Sequence, residues 1–261
     1  MFSREGSARS DRQNRRLAGY LAFIGGFVNS CGFVLIGTFT SHVTGNVGRL
    51  ADDTALGNYA AAGAALTMIF VFLGGAFLVS VMVETTFFRH KSRAYAAALA
   101  IEAWLLVAFT AVSFFVATTH PRLRDAEALL LCTAMGMQNA LVTRLSGAVV
   151  RTTHLTGVVT DLGIEMARWF RHWRGSLSEV MHLRLVIGPD VPERPAIPKI
   201  HLLTTIALAF LFGAGFGAVM AVRLGHAAML VAAAAVGGGA IYANSRGQRL
   251  DNDDALARRT G

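Results

Sequence analysis

Six stretches of this chain contain no Asp, Glu, Lys or Arg: residues 17–48, 54–83, 103–121, 128–143, 200–222 and 224–245. Most of them reach or approach the length of about 20 apolar residues that a helix needs to cross the hydrocarbon core of a bilayer. The chain as a whole is 54% hydrophobic and 15% charged, against roughly 25% charged residues in soluble domains. A water-soluble core does not account for charge removed in blocks of this length. The pattern predicts an all-α, polytopic membrane protein with about six transmembrane helices, near 17–37, 60–83, 94–118, 126–146, 201–222 and 225–244.

Lys and Arg in the connections set the orientation. The N-tail carries five, the 84–93 loop three, the 144–200 stretch eight and the tail from Arg246 four, while Arg49, Arg122, Arg124 and Arg223 fall on the other side. Twenty against four predicts cytoplasmic termini in a cell inner (plasma) membrane protein. The net charge of +8 is then loop charge beside the spans and not a basic face for nucleic acid. The basic N-terminus leads into an apolar run without an A-x-A cleavage site, so the first helix is read as retained.

Four of the five prolines fall in "GPDVPERPAIP" (188–198), an extended cytoplasmic linker ahead of the fifth span. Before it, "DLGIEMARWFRHWRG" places Leu162, Met166, Trp169, Phe170 and Trp173 on one helical face, and Glu165, Arg168, Arg171, His172 and Arg174 mostly on the other. A basic amphipathic helix with aromatic anchors suits the membrane surface.

The chain also repeats itself. "SHVTGN" (41–46) and "THLTGV" (153–158) lie 112 residues apart, with Asn29 and Asn139 placed 13 and 15 residues before the respective histidines. Further on, "FLGGAF" (72–77) is similar to "LFGAGF" (211–216), offset by 139. The expected organisation is an N-tail (1–16), a first three-span repeat (17–118), a second (126–244) with the interfacial helix and linker inserted at 162–200, and a C-tail (245–261). Three spans per unit would invert the second copy, the arrangement of many secondary transporters. The first charge-free run would reach about 48 Å as one helix, beyond a core of about 30 Å, so a break is expected at "IGTFTSH". Polar backbone at that depth must be buried in protein or line water.

"GFVNSCGFVLIGTFTSHVTGNVGRLA" and "AMGMQNALVTRLSGAVVRTTHLTGVVTDLG" resemble the two signature stretches of the YoaK family of uncharacterised bacterial inner-membrane proteins, which share a domain of unknown function. The resemblance covers roughly residues 17–245. It implies a compact polytopic membrane protein and brings no substrate, cofactor or reaction.

Asn29, His42, Thr44 and Asn46 from one motif, and Asn139, His154, Thr156 and Asp161 from the other, are the candidate substrate-binding residues. Glu102 is the one carboxylate well inside an apolar run and the candidate proton or ion site, with a place near the cytoplasmic interface as the alternative. Arg144 and Arg151 bracket the second break and either meet an anionic ligand or snorkel. Gly25, Gly26, Gly74, Gly75, Gly213, Gly215 and Gly217 suit close helix packing, within the chain or in a homo-oligomer. Cys31 and Cys132 are read as packing residues. No catalytic constellation, metal cluster or nucleotide loop is evident, so no enzyme activity, metal or cofactor is expected. The partners expected are the lipid bilayer and a small solute. A small-solute transporter or permease and a non-transporting structural or regulatory protein both fit, with an intramembrane enzyme a distant third.

Overall fold

In hydrocarbon a backbone must satisfy its own N–H and C=O groups, and a helix does so within one segment. The computed structural model describes residues 9–85, 91–116, 123–180 and 196–260. Its elements there are α1 (Asp11–Ile36), α2 (Val43–Ala55), α3 (Tyr59–Glu84), α4 (Lys91–Val116), α5 (Leu123–Ser146), α6 (Leu155–Val180), α7 (Ile197–Leu224), a 3-10 turn (Gly225–Ala228) and α8 (Met229–Thr260). Five helical stretches are long and apolar enough to cross a membrane, within α1, α3, α4, α5 and Ile197–Arg249, which runs from α7 into α8. That last stretch of 53 residues would measure about 80 Å as one straight helix; it is interrupted at Gly225, whose φ is 58°. Large apolar side chains such as Phe70, Phe77, Trp104, Phe212 and Ile241 point outward. The chain is an all-helical, multi-pass membrane protein.

Two boundaries differ from the sequence reading. α1 starts at Asp11, ahead of residue 17, because Ser10 and Gln13 close a capping box at its first turn. α8 continues to Thr260, so residues 245–260, read from the sequence as a C-tail, extend the last helix. The proline-rich linker lies mostly outside the described residues; Pro198 sits in the first turn of α7, where its missing N–H costs nothing.

The long first run does break. α1 ends at Ile36, Gly37 takes a left-handed conformation with φ 76° and donates its N–H to the Phe33 carbonyl, and α2 begins at Val43. α5 ends likewise at Ser146, followed by positive φ at Gly147 (64°) and Ala148 (63°), and α6 begins at Leu155.

The element order runs twice. α1, α2, α3 and α4 begin at residues 11, 43, 59 and 91, and α5, α6, α7 and α8 at 123, 155, 197 and 229, offsets of 112, 112, 138 and 138. The packing repeats in the same sense. α1 lies along α7 as α5 lies along α3, α2 packs on α3 as α6 packs on α7, and α4 packs on α5 as α8 packs on α1. α1 and α5 are the most enclosed of the apolar helices.

Glycine sets the closest of these approaches. A Cβ on Gly26 would meet the Phe210 carbonyl, and one on Gly213 the Phe23 carbonyl; Gly136 stands against the Phe72 carbonyl and Gly75 against that of Thr133. These contacts align Phe72 with Phe210 and Gly75 with Gly213. The offset there is 138, one residue less than the glycine-aromatic strings suggest, because the aligned unit is "FLGG" against "FLFG". Gly74 and Gly215 meet nothing within 4 Å.

Candidate functional site

Each break is tied down by the asparagine one to two turns upstream in the preceding helix. The Ser41 hydroxyl donates to Asn29 Oδ1 at 2.9 Å, and the Thr153 hydroxyl donates to Asn139 Oδ1 at 2.5 Å. Asn139 also donates its amide to the Met135 carbonyl at 2.8 Å, which fixes which side-chain atom faces Thr153. The residues before these hydroxyls match as well. Thr40 and Thr152 are both buried, and neither hydroxyl has a partner. The Ser/Thr-His spelling of the two motifs is therefore an anchor followed by a residue released from it: His42 and His154 are exposed.

Both motifs open onto one cavity of about 630 Å³. Ser41, His42, Val43 and Thr44 line it from the first break, and Thr153, His154, Leu155, Thr156 and Gly157 from the second. Phe72 and Ser80 of α3 and Asn139, Thr143 and Arg144 of α5 complete the wall with Arg151. Val43 and Thr44 open α2, and Leu155 and Thr156 open α6, so two helix N-termini, with first-turn N–H groups that have no acceptor in their own helix, reach the same space. His42 makes no side-chain capping bond.

The charge of the wall is one-sided. No acidic side chain lines the cavity among the described residues. Arg144 is paired with Glu84 at 2.5 Å. Arg151 is exposed and has no hydrogen bond or ion pair to the described residues. An exposed guanidinium, two imidazoles and two helix N-termini form a surface that favours an anion.

Of the eight candidate substrate residues, His42, Thr44, Asn139, His154 and Thr156 meet at this cavity. Asn29 and Asn46 are buried beside it and do not line it. Asp161 points elsewhere, to Lys199 at 3.9 Å, because one further turn of α6 carries it towards α7. Glu102 is fully buried, halfway along α4. The sequence reading missed Thr143 and Ser80, which carry no motif, and Gln138, which is fully buried with neither amide atom partnered. Gln138 follows the same spacing logic as its neighbour Asn139, but the first half has Val28 at the matching position.

α6 packs on α7 and leaves Met166, Trp169, Phe170 and Trp173 about half exposed. Glu165 departs from the expected polar face. It is buried against α7, where Lys199 Nζ donates to it at 3.2 Å and Arg168 at 3.0 Å. The Lys199 bond holds its carboxyl below the usual carboxylate range.

Comparison with known proteins agrees with a membrane-spanning chain. The model of a family described as a protein of unknown function (DUF1275) matches residues 17–242. The UPF0700 transmembrane protein YoaK of Bacillus subtilis (strain 168) is 27% identical over 147 residues. That alignment covers 56% of this chain and 64% of the relative, so it spans less than two thirds of the relative's length. No solved structure matches.

Proposed function

This chain belongs to the DUF1275 family, and from that premise we propose that it is a transporter or permease for a small anionic or polar metabolite. The observation that carries the reading is the shared cavity: two motifs 112 residues apart in the chain supply its wall together. Packing alone does not require polar side chains from both breaks around one space, and at membrane depth such groups need water or a ligand to meet them.

In this reading the chain is two three-span units in inverted orientation, with α7 and α8 as separate crossings and both termini on the cytoplasmic side of an inner membrane. The matched helix starts and the matched packing pairs support the repeat, and the odd number of spans per unit supplies the inversion. Arg151 and the N-termini of α2 and α6 hold the anionic group, while Thr44, Thr156 and the two histidines contact the rest of the solute. The protein catalyses no reaction.

A second reading, a non-transporting structural or regulatory protein, is favoured by the glycine contacts that lock α1 to α7 and α3 to α5 and by the exposed aromatic face of α6. The purified protein decides between them. Thermal unfolding is followed against a panel of small carboxylates, phosphates, sulfonates and uncharged polar solutes. Transport predicts that at least one anion raises the midpoint and that Arg151→Gln removes the effect. Cysteines at Thr44 and Thr156 should react with aqueous thiol reagents, each from one side of the membrane at a time. A scaffold gives no shift with any solute and unreactive cysteines at both positions.

A further inference from the structure

Glu102 sits at the middle of α4 with no exposed surface. Neither carboxyl oxygen has a hydrogen-bond partner, and no cation among the described residues pairs with it. α8, α5, α3 and the 225–228 turn pack against α4. Their titratable groups are engaged elsewhere: His226 lies against Phe109, Glu84 is paired with Arg144, and Tyr242 stands under Arg246. Glu127 of α5 is itself buried and makes no hydrogen bond to Glu102. Tyr20 of α1 also lies near Glu102, and its hydroxyl is already donated to the Ala235 carbonyl at 2.6 Å.

The neighbouring backbone is bare. Ala103 lies against Gly237, and Gly239 leaves the room that the Tyr20 hydroxyl fills. An ionised carboxylate enclosed in this way, without a hydrogen-bond partner among the described residues, is strongly disfavoured. A resident metal ion needs several ligands besides one carboxylate, and no group of three His, Cys, Asp or Glu comes together among the described residues. One proton alone neutralises the carboxylate. We propose that Glu102 is a proton-binding site in the membrane interior, a neutral acid in the closed packing that gives up its proton when water enters between α4 and the glycines of α8.

The site is independent of the transport reading and is tested without a solute. The full chain in lipid nanodiscs is treated with a hydrophobic carbodiimide, which adds to protonated carboxyls that aqueous reagents do not reach. Adducts are mapped by peptide mass across a pH series. The expected result is an adduct on Glu102 at neutral pH, where exposed carboxyls are ionised, absent in Glu102→Gln, with a yield that falls severalfold in alkali. Sodium, potassium and calcium ions should not protect. Protection by any of them makes the site a metal-cation site and overturns the proposal. So does a yield that does not change with pH, which marks an acid that never releases its proton, and so does the absence of an adduct. Should Glu102→Gln fail to fold, the pH and cation profiles of the unaltered chain decide the matter.

Discussion

Asn139 accepts the Thr153 hydroxyl proton at 2.5 Å across the break between α5 and α6, and Asn29 does the same for Ser41 between α1 and α2. Each bond closes a loop whose backbone has left helical geometry, so its partner is the chain itself and no other helix. Thr153→Val removes the donor and leaves the Asn139 carbonyl oxygen without it. The expected loss is about 1–2 kcal/mol, read as a lower unfolding midpoint. In a double-mutant cycle with Asn139→Ala the coupling energy should be on the order of 1 kcal/mol. Additive effects would mean that the bond does not hold the break.

Gly213→Ala and Gly75→Ala should be severe, because the new methyl would fall on the Phe23 or Thr133 carbonyl oxygen, and a helix backbone cannot yield there without parting α1 from α7 or α3 from α5. Loss of monodisperse protein on purification is the expected outcome. Gly74→Ala and Gly215→Ala, one or two residues away, meet nothing within 4 Å. Those two should be neutral or stabilising by up to about 1 kcal/mol through helix propensity. If all four behave alike, the close approaches do not hold the bundle together. If Gly74→Ala or Gly215→Ala instead dissociates an oligomer, that glycine face pairs copies of the chain.

Much of this architecture was legible because charge is so costly in lipid. The empty runs gave away the helices, and a 32-residue run could not stay straight. The common cavity was legible as a consequence of the repeated motif. What stayed hidden depends on rotation about a helix axis. Asp161 and His154 are seven residues apart and share a face in an ideal helix, yet His154 stands ahead of the first turn of α6 and Asp161 faces Lys199. Glu165 was hidden for the same reason, since the lysine that buries it stands 34 residues further on. α2 was invisible because its charges, Arg49, Asp52 and Asp53, end the apolar run without ending the helix.

Trp169 and Trp173 are about half exposed on α6 beside Phe170 and Met166. An aromatic face of this kind with neighbouring arginines belongs at the headgroup level of a membrane. Trp104 is the third tryptophan and is itself outward-facing on α4, so the measurement needs Trp104→Phe. With that background, lipids carrying quenchers near the headgroups should quench emission strongly, and quenchers at the chain ends should do so weakly. Emission typical of indole in water, unaffected by either lipid, would place α6 away from the bilayer.

The ion pair that docks α6 makes its position depend on pH. Glu165 is buried with Lys199 at 3.2 Å and Arg168 at 3.0 Å, and the Lys199 hydrogen bond is the main cause that lowers its proton affinity. A carboxyl whose folded pKa lies below the unfolded one contributes to docking in full above the unfolded value, about 4.3. The contribution is lost as pH falls from there through the folded value. Acidification should therefore loosen α6 from α7 while the glycine-packed helices hold, since no titrating group joins α1 to α7 at Gly26 and Gly213. Protection against hydrogen exchange over Leu155–Trp173, taken relative to the intrinsic rate at each pH, should fall in acid, with little change over Leu17–Cys31. Glu165→Gln should show the low protection already at neutral pH and little further change on acidification. If acid loosens α6 equally in Glu165→Gln, another carboxyl governs it, and Asp161, 3.9 Å from the same lysine, is the group to replace next.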